Sequence, residues 1–169
     1  AEFQRRAPAL APLGAYVLHC FGAFHFEGIT PRLPTRTFEG RLDLTVGAKR
    51  VELIEVGPAH TRGDVLVHVP ADRTVFTGDI VFANAHPIIW AGPVANWVRA
   101  CDRILAMEVE MIVPGHGPLC GLEVVSELRA YLLHLQSEAK RCLAAGLSRE
   151  EAARAVALDD YASWGDAER

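Results

Sequence analysis

The stretch "GPAHTRGDVLVHVPADRTVFTGDIVF", residues 57–82, decides how the rest of the chain is read. It opens on a Gly/Pro-rich turn that carries His60, then runs an apolar strand over 64–70. "PADR" turns the chain, and a second apolar strand over 73–79 closes on Gly78-Asp79. Downstream, "EMIVPGHGP" (110–118) has the same design: a short buried strand, then a tight turn holding His116. His60, Asp79 and His116 thus each end or follow an apolar run beside glycine or proline. Strand ends hold side chains more firmly than free loops, and glycine lets backbone approach closely. Imidazole and carboxylate donors suit zinc, and also iron or manganese. Each residue alone is commonplace, since a His in a Gly/Pro loop or a Gly-Asp after a strand is ordinary turn chemistry. The three together, in this order, point to a metal site.

Working outward, "RTFEGRLDLTV" (36–46) alternates apolar and polar residues, and "VELIEVG" (51–57) returns after the turn "GAKR". The pair reads as a hairpin. "GPVANWVRACDRILAM" (92–107) is an amphipathic helix with Pro93 near its start and Val94, Trp97, Val98, Cys101, Ile104 and Leu105 as its apolar stripe. The long helix over 122–146 is closed by Gly146. "SREEAARAVA" (148–157) begins with a capping box, Ser148 and Glu151. The first twenty residues read as helical patches broken near Pro8 and Pro12, and "GITPRLPTRTF" (28–38) as an extended surface run. Strands come early and helices late, which makes this an α/β (α+β) chain with a sheet-plus-helix layer over residues 1–169 as a single domain.

Composition excludes several classes. A chain of 169 residues with 50% hydrophobic content is long enough for a real core and too apolar to be disordered. A net charge of −4 gives no electrostatic reason to expect nucleic acid. No run approaches the ~20 apolar residues that cross a membrane. Cys20, Cys101, Cys120 and Cys142 are widely spaced and form no C-x-x-C pair, so they read as reduced thiols. With no secretory signal, the expected location is cytoplasmic.

"VGPAHTRGDVLVHVP", "TVFTGDIVF" and "MIVPGHGP" together resemble the later half of the metallo-β-lactamase superfamily of metallohydrolases. That family carries a His in a G-x-x-H-T-x-G loop, an Asp closing an F-x-G-D strand, and a His in a P-G-H-G loop. The resemblance covers about residues 37–120. It implies an αββα sandwich, here incomplete: mainly the second sheet with its flanking helices. It also implies that His60 ligates a first metal, His116 a second, and Asp79 bridges both. The implied chemistry is hydrolysis of a lactam, thioester, ester or lactone, with zinc the foremost metal and iron or manganese alternatives.

The chain departs from the family in one respect. The first motif, His-x-His-x-Asp-His, is missing, and the chain contains no His-x-His. Its upstream histidines, His19 and His25 in "LHCFGAFHF", lack the motif's neighbours. Three ligands spread over two metals are too few, because catalytic zinc generally takes three protein ligands of its own. The chain therefore reads as a piece of a metallohydrolase that is inactive or weakly active by itself. The alternatives are a metal-free binding or structural remnant, and one half of a two-chain enzyme. A chain lacking most of one sheet exposes an apolar face, so the expected partners are further copies or the missing N-terminal half, besides a small-molecule substrate. His86 and Trp90, in "FANAHPIIWAGP", are candidates for a substrate pocket, weighed against turn-capping for His86 and a core or interface role for Trp90. Thr61 and Asp64 read as hydrogen-bonding residues of the His60 loop, and His68 and His134 as structural.

Overall fold

The computed structural model describes residue 9 and residues 12–165. The chain divides into two compact units, residues 1–37 and 38–169. The first contains helix α1 (Pro12–Phe21). The expected break at Pro8 lies outside the described residues. Pro12 begins a helix instead of breaking one, because the N–H it lacks has no intrahelical partner in a first turn.

The second unit is a five-stranded sheet with helices. Strands β1 (Arg41–Val46), β2 (Lys49–Glu55), β3 (Val65–Val69) and β4 (Thr74–Phe82) pair antiparallel in sequence order. Strand β5 (Met111–His116) joins β4 in parallel, after the crossover helix α2 (Val94–Leu105). Helices α3 (Leu122–Ala144) and α4 (Arg149–Ala155) follow. The hairpin, α2, the long helix and the capping box are all where the sequence pattern puts them. Ser148 accepts from the Glu151 amide while the Glu151 carboxylate accepts from the Ser148 amide. Gly146 leaves α3 with φ of 72°, and Leu147 N–H reaches back to the Cys142 carbonyl. Among the described residues no helix is long and apolar enough to cross a membrane.

Strand β4 differs from expectation. It does not stop at Asp79 but continues to Phe82. Its register against β5 shifts between Phe76 and Gly78 and again before Phe82, and Gly78 has φ of 49°. A bulge lets a strand re-aim a side chain without ending its pairing, so Asp79 projects from within a bent strand and Ile80, Val81 and Phe82 carry the core onward.

The two sheet faces differ in chemistry. On one, Ile54 pairs with Leu66, and Val75 with Ile112. These four join Trp97, Cys101 and Ile104 of α2 and Val125, Leu128 and Leu132 of α3 in one core. The other face carries Leu42, Leu53, Val67, Phe76 and Val113, paired in turn across all five strands. Phe76 is 44% exposed, and Val46 and Met111 on the same face 62% and 45%. This second face is therefore apolar and partly exposed.

At the β1 end the helix-covered face turns polar. Glu52 is buried, and its carboxylate meets Arg41 at 2.7 Å, Arg50 at 3.3 Å and His68 Nδ1 at 3.0 Å. Burial is the largest influence on its acidity and pushes upward. The His68 hydrogen bond and the two guanidiniums outweigh it, so the Glu52 carboxyl sits below the usual glutamate range. A depressed carboxyl stabilises the fold above the unfolded pKa of about 4.3 and loses that contribution as pH falls through the folded value. Replacing Glu52 with Gln is expected to cost about 1–3 kcal/mol at pH 7. The same variant should lose less stability on acidification than the parent, read from urea midpoints at neutral and acid pH.

Candidate metal centre

His60 sits in the loop joining β2 to β3. Asp64 organises that loop: its carboxylate accepts from the Ala59 and Thr61 amides, each at 3.0 Å, and from the Thr61 hydroxyl at 2.7 Å. The Val56 amide donates to the Asp64 carbonyl at 2.9 Å, closing the loop at its base. The role expected of Thr61 and Asp64 is the one observed. Gly57 is required by packing, since a Cβ there would lie 2.7 Å from the Arg62 carbonyl oxygen.

A second loop, residues 83–92 after β4, zips onto the first. Amides of Trp90 and Ala91 donate to the His60 carbonyl, both at 3.1 Å, and Gly92 N–H donates to the Ala59 carbonyl at 2.8 Å. The Ile88 carbonyl lies 2.7 Å from His60 Nδ1. A carbonyl can only accept, so Nδ1 carries the proton. In the neutral ring Nε2 then presents a lone pair, and it lies 3.3 Å from Asp79 Oδ2. On the other side of the same carboxylate, Oδ1 is 3.4 Å from His116 Nε2. One carboxylate is thus shared between two imidazoles.

Aromatic rings fix both imidazoles. His116 stacks on Phe82 with centroids 4.3 Å apart and planes 10° from parallel. His60 packs against Phe82 at 5.6 Å and edge-on to Trp97 at 5.7 Å. Trp97 is anchored in turn by its indole N–H on the Ile80 carbonyl at 2.8 Å. His60 is only 5% exposed, whereas the His116 and Asp79 side chains are 45% and 40% exposed. The site is therefore rigid on its protein side and open on the other.

These donors fit a metal ion in chemistry. With the ring neutral, His60 Nε2 and the carboxylate oxygen face each other acceptor to acceptor, which a cation between them would relieve. Two donors bound to one tetrahedral zinc at about 2.0–2.2 Å sit about 3.3–3.5 Å apart, which matches both contacts. The set is incomplete in number. Among the described residues no group of three or more His, Cys, Asp or Glu is gathered closely enough to hold a metal ion as it stands; the three meet only pairwise through Asp79.

His86 and Trp90 are not brought to the triad's carboxylate. His86 is buried and meets the Tyr131 hydroxyl at 3.0 Å, within a cluster that includes Trp164. Burial, with Tyr161 alongside, pushes the Tyr131 phenol up to about 12, so it stays protonated at neutral pH. Backbone bonds from His86 N–H to the Gly165 carbonyl and from Gly165 N–H to the Asn84 carbonyl tie residues 84–86 to the C-terminal segment. Trp90 is 64% exposed on the zipped loop, so it is not a core aromatic. All four cysteines are free, with Cys101 and Cys142 buried, and burial pushes the Cys101 thiol up to about 12. Sequence reasoning passed over Phe82 and the Ile88 carbonyl. Phe82 lies three residues beyond Asp79 in an apolar run and gave a signal; a backbone carbonyl gives none.

A family model described as the metallo-beta-lactamase superfamily matches residues 4–116. The chain is 26% identical over 140 residues to a linear primary-alkylsulfatase from Pseudomonas sp. (strain ATCC 19151), covering 76% of this chain and 26% of that protein. It is 26% identical over 101 residues to an acyl-coenzyme A thioesterase from Gallus gallus, covering 56% of this chain and 36% of that protein. It therefore spans about a quarter to a third of these relatives' lengths. Among solved structures, a metallo-beta-lactamase from Pontibacter korlensis superposes with a TM-score of 0.55 at 21% identity, covering 72% of this chain and 55% of that one.

Gly115 tests the placement of Asp79. A Cβ at this position would lie 2.1 Å from Asp79 Oδ1 and 2.6 Å from the Gly78 carbonyl carbon, whereas one at Gly63 meets nothing within 4 Å. Gly115→Ala is expected to cost about 1–3 kcal/mol of stability, and Gly63→Ala to stay within about 0.5 kcal/mol of the parent, both by urea unfolding.

Proposed function

Because this chain belongs to the metallo-beta-lactamase superfamily, we propose that it is one part of a metal-dependent hydrolase, with His60, Asp79 and His116 as its share of the metal ligands. One observation carries this reading: with Nδ1 of His60 held by the Ile88 carbonyl, Nε2 lies 3.3 Å from one oxygen of the carboxylate whose other oxygen lies 3.4 Å from His116 Nε2. The family is a hydrolase family, and its members typically bind metal ions such as zinc. The proposed substrate is a small molecule with a lactam, thioester, ester or lactone bond. The alkylsulfatase and thioesterase named above support an ester-type bond. Zinc is the proposed metal, with iron or manganese as alternatives for the same donors.

When bound, the metal supplies a nucleophilic water at neutral pH and polarises the scissile bond. This chain's residues do three things. His60 contributes a nitrogen whose proton is kept on the far side of the ring. Asp79 offers an oxygen to each side. His116 closes the outer, solvent-facing side and is steadied by the Phe82 ring. None of the 169 residues supplies a His-x-His pair. The site is therefore proposed to be completed by ligands from outside this chain, and the chain alone to be a weak binder with little turnover. The apolar row Leu42–Leu53–Val67–Phe76–Val113 is the surface on which that complement, or failing it a second copy, is proposed to pack. Four free thiols suit a reducing compartment, and a cytoplasmic location is proposed on that ground.

Zinc titration of the purified chain against a competing chromogenic chelator tests the reading. The expected result is one weak site, weakened at least about tenfold by Asp79→Asn, a loss of about 1.4 kcal/mol or more. Zinc affinity indifferent to His60→Ala, Asp79→Asn and His116→Ala would mean a metal-free binding role instead. Sedimentation in parallel reads the packing surface: concentration-dependent self-association is expected, and Phe76→Glu should reduce it.

A further inference from the structure

A cavity of about 500 Å³ lies between the end of β2 and one flank of α2. It shares no residue with the His60–Asp79–His116 triad. Its floor is apolar: Ile54 and Ala100 are 6% and 2% exposed. Its rim is cationic, with Arg99 and Arg103 on successive turns of α2 and Arg41 on β1. Glu55 is the one carboxylate in the lining, and it is already occupied, accepting from the Gly40 amide at 2.7 Å. Arg41 is likewise satisfied, by Asp43 at 2.9 Å and Glu52 at 2.7 Å.

Arg99 and Arg103 are different. The Arg99 guanidinium donates to the Asn96 amide oxygen, a neutral partner. Neither arginine has a carboxylate partner among the described residues. Like charges four residues apart on a helix repel one another, and a solvated helix face is ordinarily relieved by interspersed carboxylates. Here two guanidinium side chains, one helical turn apart, line a concave space floored by Ile54 and Ala100. Guanidinium pairs of this kind recognise carboxylate, sulfate and phosphate by paired N–H···O bonds.

We propose that this cavity binds a small organic anion, its oxyanion head between Arg99 and Arg103 and a short apolar body against Ile54 and Ala100. The cavity takes in Gly57, which opens the His60 loop, and α2, which carries Trp97 against the His60 ring. The two sites therefore share supporting backbone without sharing ligands. The proposal stands independently of the metal reading, because no metal donor takes part.

The test is calorimetric titration at constant ionic strength with two probes, inorganic phosphate and phenylphosphonate, the latter not hydrolysable. Both should bind saturably, phenylphosphonate about tenfold or more tighter because its ring covers the apolar floor. The double variant R99Q/R103Q should weaken phenylphosphonate at least about tenfold while leaving zinc affinity unchanged. In amide NMR spectra the shifts should centre on Gly57 and Ala100. Equal binding by the double variant, non-saturable binding, or shifts centred elsewhere each overturn the proposal. Both arginines are exposed, so the variant is expected to fold, and its circular dichroism should match the parent's.

Discussion

The Asp79 carboxylate is shared by two imidazoles, and its position depends on how closely β5 backs onto β4. Gly115 brings the β5 backbone so near that a methyl group would collide with the carboxylate and with the Gly78–Asp79 peptide. The bend at Gly78 then turns Asp79 outward while the strand keeps its place in the sheet. Parallel pairing of β4 with β5 brings the end of one strand beside the end of the other, which is why Asp79 and His116 meet. The P-G-H and T-G-D glycines are thus the means by which two strands approach closely enough to present one site.

The remaining imidazole is held by a different device. His60 belongs to a loop with its own internal hydrogen bonds through Asp64, and that loop is laced to residues 88–92 by three backbone hydrogen bonds and by the His60 ring on the Ile88 carbonyl. Phe82 lies between the two histidines and touches both rings. A single side chain thereby links two imidazoles that come from separate parts of the sheet. Side chains whose rotamers are fixed by packing hold a binding geometry better than loop residues left to themselves.

Much of this was legible in the sequence, and the limits have physical causes. His60, Asp79 and His116 stand out because each is flanked by glycine or proline after an apolar run, a pattern that survives without any knowledge of distance. The hairpin, α2, α3 and the capping box follow from periodicity and cap chemistry that act within a few residues. The end of β4 did not follow, because Gly-Asp looks like a turn and a bulge is visible only through the partner strand. Pro12 was ambiguous for a similar reason, since proline breaks a helix interior and suits a helix start. His86 and Trp90 were close in sequence to the site, yet one turned into the Tyr131 cluster and the other onto the surface. The Ile88 carbonyl that sets the His60 proton could not be found at all, because every residue has a carbonyl.

The change of character across the sheet has a consequence for how the fold opens. Toward β4 and β5 the helix-covered face is continuous with the core. At β1 the same face carries Arg41 and Asp43, paired with Glu52 and Arg50 of β2, so β1 has no share in that core. Its apolar residues Leu42 and Leu44 point to the opposite, open face. Strand β1 is then held to the rest chiefly by its ladder hydrogen bonds to β2 and by the ion pairs of Arg41 and Asp43. Amide protons of β1 can exchange with solvent by local opening of the hairpin, while those of β4 must wait for the whole unit to unfold. Whatever covers the open face would close that gap, making β1 as slow to exchange as the strands beneath the helices.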